Sequence, residues 1–253
     1  MKKSSLRFSN SILQFALLLL LFTSCKKTTE TYNTPQLNDY YPLQTGKYIT
    51  YQLDSLVYYN FGTTDSISHN QVKYVVDSLL TDNSGRPAYR IYKYYRKSSN
   101  DSWIPVASMW AINEGNKIEF IEDNLTYIKL VLPIQNDKTW KGNINLQNYI
   151  SNNPDHAYLS DWDYYYSNVG ESLLINGFNL DNTITINQRD DISGIPDNPD
   201  AYSEINFAQE KYAKGIGMIY KKFLHKEYQP DNNGGGAVQD GSYGVTYTMI
   251  DHN

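Results

Sequence analysis

From Ile49 onward the side chains alternate: Ile49, Tyr51, Leu53, Val57 and Tyr59 share one face of an extended chain, and Thr50, Gln52 and Asp54 share the other. A period of two turns an apolar row toward a core and a polar row toward water, which describes a half-buried β-strand and not a helix. The pattern returns with Val72, Tyr74, Val76 and Leu80 opposed by Lys73 and Asp77, and residues 60–70 between the two read as a loop. After the turn Asp82-Asn83-Ser84-Gly85, residues 89–97 carry tyrosine on both faces. The chain has 24 tyrosines against 8 phenylalanines, and a tyrosine ring can pack while its hydroxyl stays in water, so such a row remains compatible with a strand. Further strands are expected at 106–112, 117–122, 125–134, 162–169, 183–188, 202–207, 216–228 and 245–250, with Asp123-Asn124 as a tight hairpin turn. Short helices are allowed only at 144–150 and 204–213, the second equally readable as strand. Loops are expected at 152–160, 190–201 and 229–240. Successive strands with short turns make an antiparallel meander, and a sheet of about ten strands curls or splits. The expected fold is therefore all-β: one large antiparallel meander, strongly curved into a half-barrel or a sandwich.

The first residues follow different rules. Lys2, Lys3 and Arg7 precede an apolar run over 12–22 interrupted only by Gln14. That run is shorter than the ~20 apolar residues a membrane-crossing helix needs, and with Thr23-Ser24 it has the form of a secretory signal peptide over 1–24. Leu20-Leu21-Phe22-Thr23-Ser24-Cys25 resembles the lipobox of bacterial lipoproteins, with Phe22 where leucine is usual. The resemblance implies cleavage before Cys25 and attachment of a diacylglyceryl group to its sulfur. Cys25 is the only cysteine, so no internal disulfide can form. Burying acyl chains at about 0.8 kcal/mol per methylene makes two or more of them a stable anchor. Residues 25–40 begin Cys25-Lys26-Lys27-Thr28-Thr29 and show no apolar period, which suits a flexible tether and leaves 41–253 as the single folded domain. In related lipoproteins an aspartate after the cysteine retains the protein in the inner membrane, and an acidic cluster sends it to the cell surface. Lys26 and Lys27 stand there instead, so the resemblance implies the outer membrane, facing the periplasm.

A second resemblance lies in the body. Tyr41-Pro42-Leu43-Gln44-Thr45-Gly46-Lys47-Tyr48-Ile49-Thr50-Tyr51, Lys214-Gly215-Ile216-Gly217-Met218-Ile219-Tyr220 and the closing Ile250-Asp251-His252-Asn253 are similar to blocks of an uncharacterised family of Bacteroidota-type envelope lipoproteins. That family implies an envelope lipoprotein and supplies no catalytic residue. The glycines of the second block precede strand-like residues, whereas a phosphate cradle needs a helix and a lysine after them.

Composition narrows the chemistry. A formal net charge of −5 without a basic cluster argues against nucleic acid, whose phosphates demand lysine and arginine. His69, His156, His225 and His252 are dispersed without metal-site spacing, and no cofactor is implied. Asp161 and Asp163, two apart beside Tyr164, Tyr165 and Tyr166, could set two carboxylates together as glycosidases do, or could be solvated turn residues. Asp190, Asp191, Asp197 and Asp200 offer oxygen ligands of the kind calcium takes, without an EF-hand's spacing; a polar surface loop is the alternative. Trp103, Trp110, Trp162, Tyr92 and Tyr94 could line a concave groove for a sugar or an apolar ligand, or could pack within the sheet. Three functions follow: a non-catalytic binding or scaffolding lipoprotein whose partner is an envelope protein or glycan, a glycan-binding or glycan-hydrolysing lipoprotein, and a carrier of an apolar ligand. The first is preferred, with the membrane engaged through the N-terminal lipid.

Overall fold

The computed structural model describes residues 34–196, 198–231 and 235–253. The expected signal peptide, Cys25 and residues 26–33 of the expected tether lie outside them. Thirteen strands are present among the described residues: β1 (Tyr48–Tyr59), β2 (Thr64–Thr81), β3 (Pro87–Arg96), β4 (Ile104–Asn113), β5 (Lys117–Glu122), β6 (Leu125–Val131), β7 (Thr139–Lys141), β8 (Asp163–Ile175), β9 (Phe178–Gly194), β10 (Ser203–Ala213), β11 (Gly217–Pro230), β12 (Gly236–Val238) and β13 (Tyr243–His252). They form one sheet in the order β6-β5-β4-β3-β2-β1-β13-β11-β10-β9-β8-β7, with β12 a short addition to β11. The first and last strands pair antiparallel, Leu53 opposite Tyr247. The expected meander therefore curls round on itself into a nearly closed up-and-down barrel.

The seam falls between β6 and β7, and side chains help to bridge it. Ile128 N–H donates to the Gly142 carbonyl (2.9 Å), and Trp140 Nε1 donates to the Ile128 carbonyl (2.9 Å). The Tyr166 hydroxyl accepts from Val131 N–H and donates to Val131 C=O, both at 2.8 Å. A sheet edge left open invites pairing with another chain. Here aromatic side chains satisfy it instead.

Alternation decides which residues enter the lumen: Tyr51, Leu53, Val72, Ile91, Met109, Ile184, Ile186, Tyr212, Ile219 and Met249 are all buried. Strand direction sorts the connections into two ends. Those at 82–86, 114–116, 176–177 and 214–216 lie at one end, and those at 60–63, 97–103, 123–124, 142–162 and 195–202 lie at the other.

The first end is plugged by the segment before β1. Leu37–Tyr40 makes one helical turn whose Leu37 and Tyr40 are buried in the core. The folded body thus includes residues expected to belong to the tether, because two apolar side chains one turn apart can stopper a barrel without any strand period. The three sequence blocks of the family resemblance meet at this plug. Lys47 Nζ donates to the carbonyls of Gly215 (3.0 Å) and Asn253 (2.9 Å), Tyr48 N–H donates to Asn253 Oδ1 (2.8 Å), and Gly215 N–H donates to the Asp39 carbonyl (2.6 Å). Gly215, at φ +77°, lets β10 turn into β11. These blocks build the closed end.

Several expected loops are structured. β2 begins at Thr64 and pairs along 64–71 with β1; its first six residues are exposed, so the backbone ladder holds it and no apolar row announces it. β9 continues through Asp190 and Asp191 to Gly194, paired with β10. Pro154–Leu159 is a helical turn, and β12 lies within the expected loop 229–240. Residues 204–213 are strand, while 144–152 are helical.

Candidate functional site

The end opposite the plug opens into a cavity of about 690 Å³, within the range of small-molecule sites. β5, β6, β8, β9, β10, β11 and β13 supply its wall, and the β7–β8 connection supplies its cover. Asn143 fixes that cover at its base: Nδ2 donates to the Leu159 carbonyl and Oδ1 accepts from the Tyr164 hydroxyl, both at 2.8 Å. Tyr158 lies flat on His225, centroids 3.7 Å apart and planes within 10°, and its carbonyl accepts from Trp162 Nε1 (2.6 Å).

Rings and charges share the lining. Trp162 and Phe223 are 6.2 Å apart at 23°, and Phe223 and Tyr243 are 4.9 Å apart at 26°, giving a run of near-parallel rings. Among them sit Glu122, Lys129, Glu210 and Lys221. On β10, Glu210 takes an inward position between the buried Ala208 and Tyr212. Lys129 Nζ donates to Glu210 Oε1 (2.6 Å) and the Tyr212 hydroxyl to Oε2 (2.7 Å). Burial pushes the Glu210 carboxyl up, but the charges of Lys129 and Lys221 with these two hydrogen bonds outweigh it and hold the group below its ordinary range. Burial likewise draws the Lys129 ammonium below its ordinary range, against the pull of Glu210. For Glu122 burial again raises the carboxyl, and Lys221, Lys93 and Lys129 bring it lower. Lys93 Nζ lies 3.6 Å from Glu122.

Lys221 is different. Burial pushes its ammonium down, and the charges of Glu122 and Glu210 more than reverse this, so it stays protonated. Yet among the described residues it makes no hydrogen bond and no close ion pair; its Nζ stands 5.6 Å from the Tyr247 ring centroid. Gln188, only 5% exposed, also lines the cavity, and its Nε2 has no hydrogen-bond partner among the described residues. Buried polar groups without partners are uncommon in folded proteins. Gln188 is one, and the half-buried Lys221 borders the same space.

The residues singled out in the sequence scatter. Asp161 and Asp163 do come together, bridged by Lys141 Nζ at 2.6 and 2.9 Å, but their side chains are 82% and 63% exposed. Hydrogen bonding and charge from Lys141 hold the Asp161 carboxyl below its ordinary range, the reverse of what a general acid requires. Asp161 sits in a turn at φ +57°, so the pairing does not arise from strand period. Asp190 and Asp191 are consecutive on β9 and Asp200 lies in the following turn, so the expected acidic loop is not one loop; Asp191 is paired with Arg189, and Asp197 lies outside the described residues. Of the five aromatics, Trp162 alone lines the cavity. Tyr92, Tyr94 and Trp103 lie on the outer face with Lys73, Arg90 and Arg96: Trp103 is 4.7 Å from Lys73 Nζ and 4.2 Å from the Arg96 guanidinium, and Arg90 is 4.9 Å from the Tyr92 ring. Trp110 alternates with the buried Met109 and Ala111 and so faces outward too. A strand that is wet on one side can carry tyrosine on both, which is why the outer rings could not be told from lumen rings.

Glu122, Lys129, Glu210 and Lys221 carried a signal of their own. Each is a charge at an inward register position, such as Lys221 between Ile219 and Phe223.

No protein-family model and no curated protein matches the chain. Among solved structures, the crystal structure of a Bacteroides fragilis "putative exported protein with YMCC-like fold" is similar to it at 12% identity and a TM-score of 0.38, over 84% of this chain and 99% of that one. A likeness of that degree bears on neither ligand nor activity.

Proposed function

We propose that the protein is a non-catalytic lipoprotein of the bacterial envelope that binds a small ligand inside its barrel. The observation that carries this reading is the 690 Å³ cavity, lined by rings and by charges partly lacking partners. The leader before Cys25 supports an anchored, exported protein, with the outer membrane as its site by the resemblance above. The segment Leu37–Tyr40 lies at the closed end of the barrel, away from the mouth.

Hydrolysis has less support. Both lumen carboxyls, Glu122 and Glu210, are held low by lysines, and neither is poised to give a proton near neutral pH. Carriage of a purely apolar molecule would strip water from Lys221 and Glu122 without replacing its hydrogen bonds, a cost of several kcal/mol in order of magnitude. A ring-bearing ligand with polar groups fits both parts of the lining.

Native mass spectrometry of the full-length protein taken from its own membranes tests the reading. The expected result is a small molecule retained at one per chain and lost on filling the lumen with Val245→Trp. A wild-type protein that is empty, and that shows no stabilisation by any fraction of a cell extract, refutes it. Cys25→Ser tests the anchor: the protein should move from the membrane to the soluble fraction.

A further inference from the structure

The charges of the lumen do not balance. Lys129 is matched by Glu210 at 2.6 Å and Lys93 by Glu122 at 3.6 Å. Lys221 is then the third ammonium facing two carboxylates. It projects from the middle of β11 between Ile219 and Phe223, so it stands beside the ring run of Trp162, Phe223 and Tyr243. An ammonium has three donors and no acceptor. In a space partly shielded from bulk water, ammonium donors without acceptors favour an anionic oxygen.

We infer that Lys221 is the anchor for the acidic group of a small monoanionic ligand, whose flat apolar body packs along Trp162, Phe223 and Tyr243. This rests on the lumen being the binding site. Lys129 and Lys221 of the lining, together with Lys93 beside Glu122, are three ammoniums against the two carboxylates of Glu122 and Glu210, so one negative charge balances these inward-facing groups and a dianion would overcompensate. Asp123, Asp155 and Asp240 also border the cavity, but at exposed positions of the rim, where water and salt screen them. Gln188, with its unpartnered amide nitrogen, supplies a second polar group on the same wall.

Two fluorescent probes with nearly the same aromatic body separate the anchor from the cavity: 1-anilinonaphthalene-8-sulfonate, a monoanion, and N-phenyl-1-naphthylamine, which is neutral. Wild-type protein should bind the anion at least tenfold more tightly than the neutral probe. Lys221→Met should abolish that preference and leave neutral-probe binding unchanged, while Lys221→Arg should keep most of it. Glu122→Gln, which removes a negative charge and leaves Lys221 in place, should tighten the anion several-fold. If Lys221→Met does not fold, Lys221→Gln, which removes the charge and keeps a polar side chain, takes its place, because Glu122→Gln also releases Lys93. Val245→Trp should weaken both probes by filling the lumen. Loss of both probes in Val245→Trp, with anion binding indifferent to Lys221→Met or to Glu122→Gln, overturns the anchor and spares the cavity. Probe binding indifferent to Val245→Trp, or no binding of either probe, overturns the cavity reading and the anchor with it.

Discussion

Replacing Tyr166 with phenylalanine removes a single oxygen from the seam of the barrel. That oxygen accepts from Val131 N–H and donates to Val131 C=O at 2.8 Å each. Tyr166 is fully buried and Val131 half-buried, so the phenylalanine variant leaves one backbone donor, and one lone pair of the carbonyl, without a partner where water has poor access. An unmade bond of this kind costs about 1–3 kcal/mol. Counting the donor near the middle of that range and the carbonyl near its bottom, the variant should lose about 2–3 kcal/mol. For a body of this size, each kcal/mol moves the melting temperature by about 2–4 °C, so a fall of about 4–12 °C is expected. Urea unfolding gives the free energy, and hydrogen exchange gives the location: protection should fall at the Val131 amide and along β6 before it falls on β1 or β13. A loss below about 0.5 kcal/mol, the low end for a net hydrogen bond, with Val131 protection intact would refute the claim that this hydroxyl closes the barrel. Uniform loss of protection would mean that Tyr166 supports the core as a whole and has no special part in the seam.

Lys129→Met should cost about 3–5 kcal/mol by leaving Glu210 buried without its nearest cation. The double variant Lys129→Met with Glu210→Leu should recover most of that loss, and a double-mutant cycle measured by urea unfolding would show it; equal losses in the single and double variants would contradict the pairing. Burial lowers the pKa of His225, which faces Glu204, Glu227, His156 and Asn206 and lies under Tyr158. An unfolded histidine gains a proton below about pH 6.5, so stability should decline as pH falls from that value toward the lower folded pKa. His225→Phe should flatten that limb in a series of unfolding curves, and an unchanged slope would exclude His225 as its source. Gly142→Ala places a methyl group against the Tyr164 ring, which Asn143 holds in place. The expected overpacking loss is about 1–3 kcal/mol, readable as a lower urea midpoint; a midpoint equal to wild type would show that the ring yields freely.

Local sequence determined most of the strands and the hairpins. Alternation at Ile49, Tyr51 and Leu53 places those side chains on one face whatever they meet, because the period of an extended chain is a property of its own backbone. Asp123 and Asn124, at φ +52° and +62°, form the tight turn their residue types favour. The basic, apolar and small-residue run before Cys25 is likewise a linear pattern. The start of β2 and the end of β9 were not legible, since their pairing is fixed by partner strands and exposed polar residues give no period.

Closure belongs to the tertiary structure. That β1 meets β13, that Tyr166 reaches Val131, and that Leu37 and Tyr40 stopper one end all depend on contacts between residues far apart in the chain. The cavity follows from closure. Asp161 and Asp163 are neighbours in sequence and end on the open surface, whereas Lys129, Glu210 and Lys221 come from different strands and converge, because only the rolled sheet decides which of its faces is walled off from water.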